Sequence, residues 1–369
     1  MDVAPVKVGL VGCGNIAPAY LRQCPLFEIL QVDAVSDLDN ERAAARAEEF
    51  EVPRVLSPEE LVQDPEIELV VNLTIPQAHF EVSLAALEAG KSVWSEKPLS
   101  LTRREGQKLL DTALARDVLL GCAPDTFLGG GHQTCIKLIA DGVIGEPVGA
   151  TGFMLSHGPE SWHPNPDIFY QQGAGPLFDM GPYYLTALIA MLGPVWRATG
   201  ATRMTLPERV ITAEKRRGEK IPVEVPTHVA GIMDFACGAV ATLVTSFDVW
   251  AGKHPHIEVY GTEGSLIVPD PNGPGGTPLL WLNDGKEWRE VPLTHGYTET
   301  SRSTGVADMA YALRYGREHR ASGLLAFHVL DLMLAFHEAS EEGRHIEIGS
   351  SCVQPAPLPV GLKTGTLDQ

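Results

Sequence analysis

Through the first third of the chain, short apolar runs alternate with longer stretches whose apolar residues recur at helical spacing. The runs at 6–11, 30–35, 69–73, 92–94 and 118–120 read as strands. The stretches at 16–24, 40–50, 77–89 and 102–116 read as helices, with Gly90 standing where a C-cap belongs. This alternation predicts a parallel, doubly wound sheet. Near residue 123 the texture changes. Helices are expected at 127–140, 178–192 and 323–343, and strands at 147–156, 198–205, 223–235, 239–249, 256–260, 265–268 and 279–282. Ala236-Cys237-Gly238 and Thr262-Glu263-Gly264 join neighbours at hairpin spacing. The pattern predicts an α/β domain over 1–123, an α+β domain with a mainly antiparallel sheet over 124–350, and an extended tail over 351–369 that either wraps back or hangs free.

Composition narrows the partners. The chain of 369 residues carries 28 basic and 47 acidic side chains, a net charge of −19. That balance opposes nucleic acid, which needs a basic footprint, and anionic membrane surfaces. No apolar run reaches bilayer length, and the first residues lack the charged-then-apolar pattern of a signal peptide. The six cysteines are scattered without a CxxC pair. A reduced, cytoplasmic setting is therefore expected, with no cysteine-built metal site.

The first strand runs into Gly12-Cys13-Gly14-Asn15-Ile16-Ala17. The spacing Gly12-x-Gly14-x-x-Ala17 suits a dinucleotide: a tight turn, a bare backbone for the pyrophosphate, and a small residue where helix meets strand. Asp37 ends the second strand, where an acid bonds the ribose hydroxyls and repels a 2′-phosphate, so NAD is favoured over NADP. Asp37 could instead cap the following helix.

Further along stand Asn72-Leu73-Thr74-Ile75-Pro76-Gln77-Ala78-His79, Ala89-Gly90-Lys91-Ser92-Val93-Trp94-Ser95-Glu96-Lys97-Pro98, Gly142-Val143-Ile144-Gly145-Glu146, Gly173-Ala174-Gly175 leading to Asp179-Met180-Gly181, and Val259-Tyr260-Gly261-Thr262-Glu263-Gly264. Together these motifs resemble the glucose-fructose oxidoreductase / inositol dehydrogenase family nearly end to end. The resemblance implies a Rossmann domain followed by an open sheet that supports homodimers or homotetramers. It also implies hydride transfer between a nicotinamide and a sugar, cyclitol or related polyol. The cofactor residues it implies are Gly12, Gly14, Asn15, Ile16, Asp37, Thr74, Pro76, His79, Glu96 and Lys97, although His79 could equally pack against the sheet. Many members carry histidine where this chain has Tyr183, and the acid that follows is replaced by Thr186. Tyrosine occurs there in glucose-fructose oxidoreductase itself and in the dihydrodiol dehydrogenase branch, so the chain resembles a tyrosine-containing branch.

The residues themselves allow that chemistry. Oxidising an alcohol needs a hydride acceptor and a base for the hydroxyl proton. Pro98 pushes Lys97 into extended geometry at a strand end, where α/β sheets place ligands. Asp179 and Tyr183, four apart, share a helix face. Pro182 suits a first turn, which places the helix start near Met180 and both side chains at its mouth. Lys97 would lower the pKa of Tyr183, or, partly desolvated, act as the base itself; the order of proton transfer stays open. Asp179 would bond the substrate or hold Lys97. Trp162 and His163, with His157 and Asp125, are expected to line a substrate pocket, an aromatic face beside polar groups suiting a sugar ring. The alternative is an ordinary surface loop, and a metal fits no standard spacing there. The glycine run Gly129-Gly130-Gly131 has no evident ligand. Two other functions compete: sugar modification by transient oxidation with tightly held NAD, and nucleotide sensing without turnover.

Overall fold

The computed structural model describes residues 3–300 and 302–368. The first sheet comprises β1 (Val6–Val11), β2 (Leu30–Ser36), β3 (Arg54–Val55), β4 (Leu69–Asn72), β5 (Ser92–Ser95) and β6 (Leu120–Cys122), all parallel, in the order β3-β2-β1-β4-β5-β6. Helices α1 (Ala17–Gln23), α2 (Asn40–Glu49), α3 (Pro58–Gln63), α4 (Pro76–Glu88) and α5 (Arg103–Arg116) form the crossovers. β4 and β5 are buried at every residue, as strands covered on both faces must be. Strand order reverses between β1 and β4, and at such a switch point the carboxyl ends leave a crevice for a ligand.

The short β3 and α3 escaped the periodicity, although Ser57 and Glu60 form a capping box at the start of α3. β6 starts two residues later than expected, at Leu120. Thr102 and Glu105 box the start of α5, and Asp39 caps α2 by accepting from Arg42 N.

The second sheet has nine strands in the order β16-β15-β14-β13-β7-β12-β11-β8-β17. They are β7 (Pro147–Leu155), β8 (Val195–Arg203), β11 (His228–Phe235), β12 (Val240–Ser246), β13 (Ile257–Gly261), β14 (Gly264–Val268), β15 (Leu279–Leu282), β16 (Arg289–Glu290) and β17 (Ile346–Glu347); β9 (Glu208–Val210) and β10 (Lys220–Pro222) form a separate hairpin. Only the β7–β12 pairing is parallel. Helices α6 (Gly130–Ala140), α7 (Gly175–Leu192), α8 (Thr304–Tyr315) and α9 (Gly323–Glu342) complete the chain. The fold is thus a parallel Rossmann sheet followed by a mixed, mostly antiparallel sheet with helices.

One face of the large sheet is covered by α7 and α9. Gly200 and Gly231 are cross-strand partners on β8 and β11, and a Cβ on Gly231 would stand 2.3 Å from the ring of Phe336 on α9. Two bare backbones let the helix settle onto the strands. On the opposite face, register aligns Thr199, Ile232, Thr242, Thr151, Glu258, Ile267 and Leu279 in one row. No described helix covers this row, and Ile232 is 45% exposed.

α9 also joins the two sheets. Arg103 on α5 bonds Asp331 at 2.5 Å and pairs with Glu338, both on α9. α8, which the sequence pattern did not reveal, packs beside β6.

The fold decides three further readings. The segment 127–140 breaks at Gly129 into a short turn and α6. The glycine run takes its own chain: Gly131 N donates to Pro274 O at 3.2 Å, and a Cβ on Gly129 would lie 2.2 Å from the same oxygen. The tail wraps back, since Leu358 and Leu367 are buried and Leu358 N donates to Gln133 Oε1 at 2.7 Å. Among the described residues no helix is long and apolar enough to cross a membrane.

Candidate active site

The Glu96-Lys97-Pro98 segment leaves the sheet at the end of β5, held by both neighbours. Glu96 N donates to Asn72 O, and Ala123 N to Ser95 O, each at 2.9 Å. From there Lys97 reaches α7 of the second domain. Its Nζ donates to Asp179 O at 2.7 Å and to Asp179 Oδ1 at 2.8 Å. The same ammonium lies 5.4 Å from the centre of the Tyr183 ring.

α7 begins at Gly175, not near Met180. Pro182 sits inside it, forfeiting one backbone bond, because every residue of the helix except Asp179 and Met180 is buried and that burial outweighs the loss. Asp179 and Tyr183 therefore lie one and two turns inside the helix, on the face toward Lys97.

Two charged residues complete the cluster. Arg302, just before α8, donates from Nη2 to Tyr183 Oη at 2.9 Å, and its Nε is 3.8 Å from Glu96 Oε1. Glu96 Oε1 accepts from Tyr20 Oη at 2.9 Å, which accepts from Trp94 Nε1 at 3.2 Å. Sequence reasoning missed Arg302 and Tyr20. Neither sits in a recognisable motif, and Arg302 lies in a polar stretch whose place only the fold decides.

The electrostatics revise two expectations. Burial pulls Lys97 down, but Asp179, Tyr183 and Glu96 more than offset it, and the ammonium is held above its usual range. Lys97 is thus kept charged and is not poised as a neutral base. Burial raises Tyr183 above the ordinary phenol value; Lys97 and Arg302 pull it down without cancelling that rise.

Of the residues expected to meet the cofactor, Gly12, Gly14, Asn15, Ile16, Asp37, Thr74 and Pro76 stand at the carboxyl ends of β1, β2 and β4, and Glu96 and Lys97 at that of β5. Gly12 has φ of 102°, and a Cβ there would stand 2.6 Å from Leu73 O, so the turn needs glycine. Nothing lies within 4 Å of where a Gly14 Cβ would point, which leaves the open backbone a pyrophosphate requires. Asn15 is exposed and Ile16 half-buried at the same turn. Asp37 accepts from Cys13 N at 2.7 Å through Oδ2 and from Asp39 N at 2.9 Å through Oδ1. It braces the glycine turn, and Asp39 takes the cap role. Thr74 is tied to Asn72 Oδ1 through both its amide and its hydroxyl, just before Pro76 opens α4. These residues fit a dinucleotide.

His79 has a different place from the one the resemblance implied. Its ring is buried, with Nδ1 2.7 Å from Pro98 O and Nε2 3.1 Å from Thr74 O. Both nitrogens face backbone carbonyls, and the ring, kept neutral by burial, donates its one N–H to Pro98 O or to Thr74 O, so His79 packs beneath the Lys97-Pro98 turn and the Thr74 loop.

The expected substrate residues separate. His157 stacks on Trp250 with ring centres 3.4 Å apart, and the pair borders a groove of about 410 Å³ that Glu160, Glu208 and Arg209 also line. Trp162, 66% exposed, and His163 pack edge-on with each other and with Phe169, outside that groove. Asp125 turns inward: it is buried, and its Oδ2 accepts from Gly305 N at 2.8 Å at the start of α8. Burial pushes its pKa up to about 6, against the opposing pull of Arg302 and the Gly305 amide. No cluster of three His, Cys, Asp or Glu suited to a metal occurs among the described residues.

Comparison with known proteins places this site in a family. Residues 6–123 match the model of the oxidoreductase family with an NAD-binding Rossmann fold, and residues 132–267 match the GFO/IDH/MocA C-terminal domain. The chain is 32% identical over 270 residues to dTDP-3,4-didehydro-2,6-dideoxy-alpha-D-glucose 3-reductase of Streptomyces antibioticus, covering 71% of this chain and 74% of that protein. It is 26% identical over 290 residues to levoglucosan dehydrogenase of Pseudarthrobacter phenanthrenivorans, covering 71% and 73%. A solved levoglucosan dehydrogenase, in complex with NADH and levoglucosan, shares the fold with a TM-score of 0.80 at 22% identity, over 94% of this chain and 100% of that one. The chain belongs to the GFO/IDH/MocA family of NAD-binding oxidoreductases.

Proposed function

We propose that this protein is an NAD-dependent dehydrogenase of the tyrosine-containing branch, moving a hydride between a nicotinamide and a sugar, cyclitol or related polyol. The observation that carries the reading is the meeting of Lys97, Asp179 and Tyr183 at the seam between the Rossmann sheet and α7. Relatives named as acting on levoglucosan, 1,5-anhydro-D-fructose and inositols support the substrate class.

Gly12, Gly14, Asn15, Ile16, Asp37, Thr74 and Pro76 would hold the dinucleotide, with Glu96 and Lys97 at its reactive end. When bound, it supplies the hydride acceptor. The chain supplies the proton chemistry. In reduction the Tyr183 phenol gives a proton to the carbonyl oxygen; in oxidation the hydroxyl proton passes to the phenolate fraction of Tyr183, the form that Lys97 and Arg302 favour against burial. Lys97, kept as ammonium by Asp179, stabilises negative charge on the phenol and on the reacting oxygen. Asp37 favours NAD, and the nearby Arg42 is drawn to carboxylates, 3.6 Å from Asp37 and 3.0 Å from Asp39.

The uncovered row of the large sheet, with Ile232 and Leu279, would pair copies of the chain into a homodimer or homotetramer, which sedimentation of wild type and Ile232→Asp tests. A panel of aldoses, anhydro sugars and cyclitols, with NADH and NADPH followed in parallel, tests the activity. Stoichiometric NADH is expected. Product without net NADH would mean transient oxidation, and NAD binding without any turnover would mean a sensor.

A further inference from the structure

We infer that Arg302 is the positioning residue that sets the protonation of Tyr183, by donating a hydrogen bond directly to the phenol oxygen. The inference rests on the reading of Tyr183 as the proton-handling group. Lys97 spends two of its donors on Asp179 and lies over the Tyr183 ring, 5.4 Å from its centre. Arg302 reaches the oxygen itself, at 2.9 Å.

The direction of this bond matters. A guanidinium carries donors only, so Tyr183 must accept, and its own hydroxyl proton remains available to be given away. When that proton leaves, the bond becomes one between two charged partners, the stronger kind. Arg302 is fixed from two other sides: Glu96 Oε1 lies 3.8 Å from Nε, and Gln23 Oε1 accepts from the Arg302 amide at 2.7 Å. Its side chain is only 12% exposed, so solvent screens the interaction weakly. The charged groups facing Tyr183 are Lys97 and Glu96 from the β5 exit, Arg302 from the segment before α8, and Asp179 from its own helix. Of these, Lys97 and Arg302 favour the phenolate, while Glu96 and Asp179 oppose it.

The test needs no substrate. Phenolate absorbance in the near ultraviolet is followed against pH for the full chain, with the Tyr183→Phe spectrum subtracted so that Tyr183 alone is read, and circular dichroism marks the pH range in which the fold holds. Arg302→Gln is expected to move the onset of ionisation up by about one pH unit or more. Arg302→Lys, which keeps the charge without the fork geometry, is expected to shift it less, and serves alone if the glutamine variant does not fold. An onset unchanged from the parent in either variant overturns the inference. A chain that turns over no polyol, yet shows the shift, would sink the dehydrogenase reading and leave this one standing. With a substrate in hand, the rising limb of the oxidative pH–rate profile should move by the same amount.

Discussion

Lys97 and Asp179 are joined twice: the ammonium donates to both the backbone oxygen and the carboxylate of one residue on α7. The carboxylate favours the charged lysine, and the carbonyl fixes where that charge sits. A side chain of the Rossmann domain is thereby placed by a helix of the other domain.

Lys97→Met is expected to lower kcat roughly 100- to 10,000-fold, the range that a positioned proton-transfer group supplies. NAD affinity, read by calorimetry, should change far less, because the cradle at Gly12, Gly14 and Asp37 is untouched. Near-wild-type turnover would remove Lys97 from the chemistry.

Asp179→Asn removes the first of the negative groups that hold Lys97 charged. Burial is then opposed only by Tyr183 and Glu96, and the lysine should lose its proton at lower pH than in the parent. Labelling with an amine-reactive reagent, followed by mass spectrometry of the Lys97 peptide, should show reaction beginning at lower pH than in the parent. An unchanged labelling profile would mean that Asp179 does not govern the charge.

Asp125 gives a pH-dependent stability with a definite sign. Its folded pKa is raised from 3.8 to about 6, so the folded state holds the proton more tightly than the unfolded chain. This contribution is fully present below about pH 4 and is lost as pH rises through about 6, a change of ~3 kcal/mol. Urea unfolding of wild type and Asp125→Asn, compared between about pH 4 and 7, should show that slope in the wild type and lose it in the variant. Parallel curves would place the titration elsewhere.

Gly231→Ala puts a Cβ 2.3 Å from the Phe336 ring and should cost about 1–3 kcal/mol of stability through overpacking. Adding Phe336→Leu should recover part of the loss in denaturant midpoint. If the single variant is as stable as the parent, α9 is not seated on that glycine.

Asp37→Ala should weaken NAD binding roughly tenfold and narrow the preference over NADP, since a carboxylate that bonds ribose and repels a 2′-phosphate is gone. Equal NAD affinity in the variant would leave Asp37 only its brace to Cys13.

Much of this protein was determined along the chain itself. Periodicity and turn residues are local, so most strands and helices of both sheets were legible, as was the glycine turn at 12–17. β3 and α3 were lost because a two-residue strand and a six-residue helix carry too few positions to show a period, whereas α8, at twelve residues, was not read from the sequence. The start of α7 was misjudged because proline preference is local while the burial that overrides it is not.

The site divides the same way. Lys97 and the pair Asp179 and Tyr183 could be named from motifs and four-residue spacing, but not the sense in which Lys97 and Tyr183 shift, which depends on burial and on charges from three separate segments. Asp125 was expected in the substrate pocket, and His79 either at the cofactor, as the resemblance implied, or packed against the sheet; the fold turned both inward, to Gly305 N and to the carbonyls of Pro98 and Thr74. Arg302 lies 119 positions beyond Tyr183, and nothing local marks it. The sequence alone determined most of the elements, the glycine turn and the lysine, because these follow from neighbours along the chain. Which charges surround the phenol was decided only when α7, the end of β5 and the segment before α8 packed together, because electrostatics acts through space.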